Sequence, residues 1–124
     1  MKKTKLPFTA FFLFLVTFGV AAQSGVSKDE LLRGLNGFNE IGLSDIKSTE
    51  LQNYNENYAN KLYDVIDSDR SEKDKIDGIK TISQGAAKDL EDILGLDNFK
   101  KYKKTLKKNL KPLKRKSKLL KYII

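Results

Sequence analysis

The chain has 124 residues with 24 Lys+Arg against 16 Asp+Glu, and no Cys, His or Trp. Those absences remove thiol nucleophiles, disulfides, the commonest metal ligand and the commonest general base, so any fold must hold by packing alone. No paired acid and base can be located among the remaining residue types, and the chain is read as non-catalytic, with no cofactor and no metal.

The first segment reads as a secretory signal over residues 1–22. Lys2, Lys3 and Lys5 form a positive n-region, and Leu6 to Val20 is an apolar run without charge. Val20, Ala21 and Ala22 supply the small residues expected before a cut at Gln23. The apolar run is roughly fifteen residues, whereas a spanning helix needs about 20. The expected address is therefore periplasmic or secreted. Residues 23–124 are enough for one small helical domain with one core. A Cys-free start to the mature chain argues against a lipoprotein.

Apolar residues then recur at intervals of three and four, which predicts helices and an all-α fold. Ser27 is the expected N-cap of a short first helix. Asp29 and Glu30 lie in its first turn, Leu31, Leu32, Leu35 and Phe38 form its apolar side, and it ends near Asn39. Gly34, Gly37 and Gly42 weaken it. A second helix starts at Ser44, or at Thr49, where Thr49-Glu50-Leu51-Gln52 fits a capping box. Its stripe is Leu51, Tyr54, Tyr58, Leu62, Val65 and Ile66.

Asp67-Ser68-Asp69-Arg70-Ser71 reads as a turn. Its alternating oxygen side chains suggest a calcium loop, but Glu72 stands where glycine is needed and Gly78 where a bidentate glutamate belongs. The third helix runs from about Ser71 to Leu94 with Ile76, Ile79, Ile82, Ala86, Leu90 and Ile93 on one side, and Gly95 ends it. The second and third helices, each roughly 36 Å long, predict an antiparallel hairpin along which a fourth helix returns.

Asp97 is the expected N-cap of that fourth helix, a basic amphipathic segment over about residues 97–124. Phe99, Tyr102, Leu106, Leu110 and Leu113 fall within a sector of about 80° at 100° per residue. Ser117, Leu120 and Ile124 continue it if the helix stays intact. Lys100, Lys103, Lys104, Lys107, Lys108, Lys111, Lys114, Arg115 and Lys118 cover most of the rest. Pro112 predicts a kink or break, and the chain ends in an apolar tip of Leu119, Leu120, Tyr122, Ile123 and Ile124. Charge is split along the chain. Three of the 24 basic residues precede Gln23 and twelve follow Phe99, so the segment between holds nine against all 16 acidic residues, while Lys100 to Ile124 holds no acid.

Such a helix can pack on the hairpin and leave its lysines in water. It can also present a charged and apolar surface to unfolded or partner polypeptides, or lie on an anionic membrane surface. Nucleic acid is not an expected partner, because the chain is exported and no stacking aromatics interleave the lysines. Lys100, Lys103, Lys104, Lys107, Lys108 and Lys111, with Phe99 and Tyr102, are the candidate binding residues.

The stretch Ile93-Leu94-Gly95-Leu96-Asp97-Asn98-Phe99-Lys100-Lys101-Tyr102 resembles the helix-turn-helix signature of the Spy/CpxP-like periplasmic proteins, which carry LTXXQ motifs. Leu94 stands at the Leu, Gly95 replaces Thr, Asp97 is acidic as in the family, and Asn98 replaces Gln. Upstream, Thr49-Glu50-Leu51-Gln52 keeps T-x-x-Q, with Ser48 in place of Leu. The resemblance covers roughly Ser44 to Lys108. It implies an all-helical cradle, a homodimer, that holds unfolded clients without ATP on a basic face with apolar patches, or a relative that senses envelope stress.

Export should remove residues 1–22. Intact-mass measurement on protein from its native host should find a chain starting at Gln23, and a species that keeps Met1 would refute both the cleavage and the periplasmic address.

Overall fold

The computed structural model describes residues 25–123. The signal reading over 1–22 and the terminal Ile124 lie outside the described residues. Helix α1 spans Lys28–Leu35, α2 Asp45–Ile66, α3 Glu72–Leu94 and α4 Leu96–Lys116, with 3-10 turns at Asn39–Ile41 and Leu119–Tyr122. The described residues contain no strand, and the fold is an all-α bundle.

The polar caps fall where short side chains with a free oxygen precede an apolar run. Ser27 accepts from the Glu30 amide at 3.1 Å while the Glu30 carboxylate accepts from the Ser27 amide at 3.3 Å, a reciprocal capping box. That backbone bond, aided by Lys116, holds the Glu30 carboxyl below its ordinary range. Ser44 caps α2 through the Lys47 amide, so the earlier of the two candidate starts is the real one and Thr49 lies inside the helix. Ser71 caps α3 through the Asp74 amide.

Glycine acts where backbone or space demands it. Gly95, at φ 81° and ψ 159°, is the whole connection between α3 and α4. It therefore caps both helices, and Asp97 sits in the first turn of α4 rather than at its N-cap. A Cβ on Gly34 would stand 2.7 Å from the Leu110 side chain, which is how closely α1 lies on α4.

The hairpin of α2 and α3, 22 and 23 residues long, closes through residues 67–71. Helix α1 packs on α2 and α4, and α4 also packs on α3, so the four helices form a ring of neighbours. One core fills it: Leu31 and Leu35 from α1, Leu51, Tyr58 and Leu62 from α2, Ile79, Ala86 and Leu90 from α3, Tyr102, Leu106 and Leu110 from α4. The α3 face is turned slightly from the expected one. Ser83 and Leu94 are buried, whereas Ile76, Ile82 and Ile93 are half-buried at its edges.

Two boundaries differ from the sequence reading. Helix α1 ends at Leu35, with Asn36 as C-cap and Gly37 next, short of Asn39, where a separate 3-10 turn begins. Helix α4 runs through Pro112, which is exposed, and stops instead at Ser117. Lys116 is thus its last residue, and the segment to 124 is not one helix. The chain folds back there, so Leu120 and Ile123 are buried and Leu119 and Tyr122 pack against the core, which takes up the apolar tip as far as Ile123.

Leu90 is 1 % exposed near the end of α3, in the shared core. Leu90→Ala should cost about 2 to 5 kcal/mol in denaturant unfolding. A loss under about 0.5 kcal/mol, the scale of exposed sites, would show that this face is not packed.

Candidate functional site: the basic face of α4

Ten of the 21 residues of α4 are Lys or Arg, and Asp97 in its first turn is the one acid. With the buried stripe as the inward direction, cations from Lys103 round to Lys101 occupy an arc of about 160° at 100° per residue. The flank toward α1 is uncharged over most of its length. Asn109 lies there and donates to Gly34 O at 3.2 Å and Gly37 O at 3.0 Å. The cations therefore face outward and toward the α3 side.

Lys100, Lys103, Lys104, Lys107, Lys108 and Lys111 are all exposed, as the sequence predicts. Lys103 lies 4.9 Å from the Phe99 ring centroid, a cation–π contact that steadies its stem. Lys108 reaches Glu40 at 4.0 Å and Lys116 reaches Glu30 at 3.6 Å, with Lys118 3.9 Å from Glu72 just beyond the helix. These pairs lie at exposed edges, where each is worth at most about 1 kcal/mol. Lys114 is half-buried, and burial, with Lys107 adding repulsion, lowers its pKa. The ion pairs that reach α4 and its C-terminal end thus come from Glu30 and Glu40 on the α1 side and from Glu72 at the start of α3.

Phe99 and Tyr102 require a correction. They are 5 % and 0 % exposed, so neither ring offers a surface to a ligand. The same stripe that makes the helix amphipathic is consumed by the core. The Tyr102 hydroxyl donates to Leu35 O at 2.7 Å and accepts from Asn55 Nδ2 at 3.0 Å. The Asn55 amide also reaches Asn36 Oδ1 at 2.9 Å and Leu35 O at 3.2 Å. Tyr102 thus ties α4 to α1 and α2, and Phe38 packs edge-on against its ring at 6.1 Å.

The sequence reading missed Asn55, Ser83 and Asn109 as structural polar groups. Asn55 left a signal: it falls between Leu51 and Tyr58 at steps of four and three, a polar residue on an apolar stripe. It also missed a small cleft between α2 and α3 at Tyr54, Gly85 and Asp89.

Among the described residues no helix is long and apolar enough to cross a membrane. The chain matches no family model, no curated protein and no solved structure. Of the residues that carry the Spy/CpxP-like resemblance, Leu94 to Asn98 form the α3–α4 junction and Thr49 to Gln52 lie in the first half of α2.

Three buried or half-buried phenols govern the alkaline response. Burial, with Asp67 and Glu30 nearby, pushes Tyr63 up to about 12, and burial also raises Tyr54 and Tyr102. An unfolded tyrosine releases its proton near pH 10. Above that pH the folded state holds protons that the unfolded state has lost, so stability is full below about pH 10 and falls as pH rises toward 12. Ionisation of Tyr54, Tyr63 and Tyr102 should accordingly appear together with loss of helical circular dichroism, and ionisation of these three near pH 10 in a still-folded chain would contradict the packing of their rings.

Proposed function

We propose that this is an exported, non-catalytic helical binding protein that holds partly unfolded polypeptides, as an ATP-independent chaperone or envelope stress-response protein. The observation that carries the reading is the outer face of α4. Like charges at i, i+4 spacing repel and weaken a helix by a few tenths of a kcal/mol per pair. Lys100, Lys104 and Lys108, with Lys103, Lys107 and Lys111, repeat that spacing along the whole face. Apart from the exposed contact of Lys108 with Glu40 and that of Lys103 with the Phe99 ring, the described residues give these cations little in return, whereas a field of one sign steers oppositely charged partners over long range. Client contact through Phe99 and Tyr102 is not part of the proposal, since both are core.

An anionic membrane surface is the second reading, and the same cation density favours it. With the apolar stripe of α4 and the tip at Leu120 and Ile123 both buried, such contact would be electrostatic, at headgroup level, without insertion. That mode weakens steeply with salt.

The deciding experiment is aggregation suppression of an unrelated acidic protein during its unfolding, with no lipid present. The full chain should protect at substoichiometric to equimolar ratio. Reversing Lys103, Lys104, Lys107 and Lys108 to Glu should slow capture about tenfold or more and leave the helical spectrum unchanged, since all four are exposed. Absence of protection at any ratio, together with partitioning onto anionic vesicles, would replace the chaperone reading with the membrane one.

A further inference from the structure

A cleft of about 160 Å³ opens between α2 and α3, away from the face of α4. Its deepest lining is Tyr58 and Ala86, which are 3 % and 1 % exposed. Half-buried Tyr54 and Ile82 form its sides, and exposed Asn57, Lys61 and Asp89 stand at its mouth. The Tyr54 ring stacks on Tyr58 at 6.4 Å with planes 19° apart, and its hydroxyl donates to Asp89 Oδ2 at 2.8 Å. The aromatic side is thereby fixed before anything enters.

Gly85 leaves the opening. A Cβ there would meet nothing within 4 Å, and its backbone is ordinary helix. This sets it apart from Gly34 and Gly37, whose Cβ would collide at 2.7 and 2.8 Å, and from Gly78, crowded by Val65 and Arg70 at 3.3 Å. Glycine inside a helix is less stable than alanine, and an otherwise unneeded one suits close approach by a ligand. The fold's own packing does not ask for this glycine.

The geometry points to the α2–α3 cleft at Gly85 as a socket for one aromatic or branched apolar side chain of a bound polypeptide, with Asn57 and Asp89 bonding the backbone amides on either side of it. The volume lies well below the roughly 300–1,000 Å³ of cofactor and drug-sized sites, so a single side chain fits and a nucleotide does not. Apolar lining below and amide or carboxylate groups at the mouth match a side chain flanked by peptide N–H and C=O groups. Asp89 keeps acceptor capacity beyond its bond to Tyr54, and Asn57 offers both donor and acceptor. The inference rests on the client-holding reading and names the chemistry that a client would bring.

The test is a titration of the isotope-labelled full chain, followed by its backbone amide resonances. N-acetyl-phenylalaninamide should shift Gly85, Ala86 and Tyr54 saturably, at about millimolar affinity for so small a probe. N-acetyl-glycinamide, which has no side chain to insert, should not. Gly85→Leu fills the opening with a good helix former and should weaken binding at least about tenfold, since its Cβ meets no neighbour. Tyr54→Ala, at a half-buried site, should weaken it too. Equal shifts with the glycine probe, shifts that persist in Gly85→Leu, or saturable shifts with methyl glucoside alone would overturn the proposal. The aggregation assay separates the two readings. Protection by the wild-type chain without probe binding removes the socket and keeps the chaperone. Probe binding without protection keeps the socket and removes the chaperone.

Discussion

The C-terminus of α1 is where the bundle is tied together. A helix of eight residues is marginal alone, because its nucleus costs more than its few hydrogen bonds return, and its last carbonyls have no partner within the helix. Here the Asn36 and Gly37 amides meet Leu32 O and Gly34 O locally, and further donors arrive from far along the chain. Tyr102 and Asn55 reach Leu35 O, and Asn109 reaches Gly34 O and Gly37 O. Leaving a buried acceptor such as Leu35 O without these donors would cost about 1–3 kcal/mol, so α1 docks only when α2 and α4 are in register with it. The same bonds set the rotation of α4. With Tyr102 and Asn109 held against α1 and α2, its cations have nowhere to point but outward and toward α3.

Most of this architecture was legible because it rests on spacing. The hairpin, its turn, the cap at Ser27 and the α4 stripe all follow from apolar steps of three and four bounded by short polar residues; Ser44 is one of two starts that the pattern allows for α2, and Gly95 rather than Asp97 caps α4. The misses share a cause as well. Asn55, Ser83 and Asn109 are polar, so a hydrophobic pattern passes over them, yet their value comes from partners as many as 75 residues away. Pro112 predicts a kink or break because the ring removes a donor and crowds the preceding turn, and the break does not occur. That penalty is local, and burial of Leu113 against the core outweighs it, so the helix continues to Lys116. The candidate site was half legible: the lysines are where the pattern puts them. Phe99 and Tyr102 could not serve both core and surface, and in a domain this small the core takes them.

The division of charge follows from the same economy of surface. Acidic side chains cluster on the first three helices and basic ones on α4, yet few pairs form, and those lie at exposed edges such as Lys108 with Glu40. Holding two long side chains in one geometry costs entropy that an exposed pair barely returns. Packing of the apolar stripe therefore decides where α4 sits, and the charges are left as a field. Along α4, lysines four residues apart, such as Lys100, Lys104 and Lys108, lie about 6 Å from one another along the axis.

The basic face and the α2–α3 cleft lie on either side of α3, since α4 turns its cations toward that helix and the cleft opens on its other edge. Packed helix axes stand 8–10 Å apart, and an extended chain advances about 3.3 Å per residue. A segment of roughly four to six residues can therefore cross α3 from one contact to the other. Acidic residues held loosely by lysines would bring the chain in, and one apolar side chain in the cleft would set its position. Linking two weak contacts through so short a span raises the effective concentration for the second to the millimolar range, so neither need be strong for the pair to hold. Reversible holding requires that combination: contacts weak enough singly to release a chain that can fold, and close enough together to retain one that cannot.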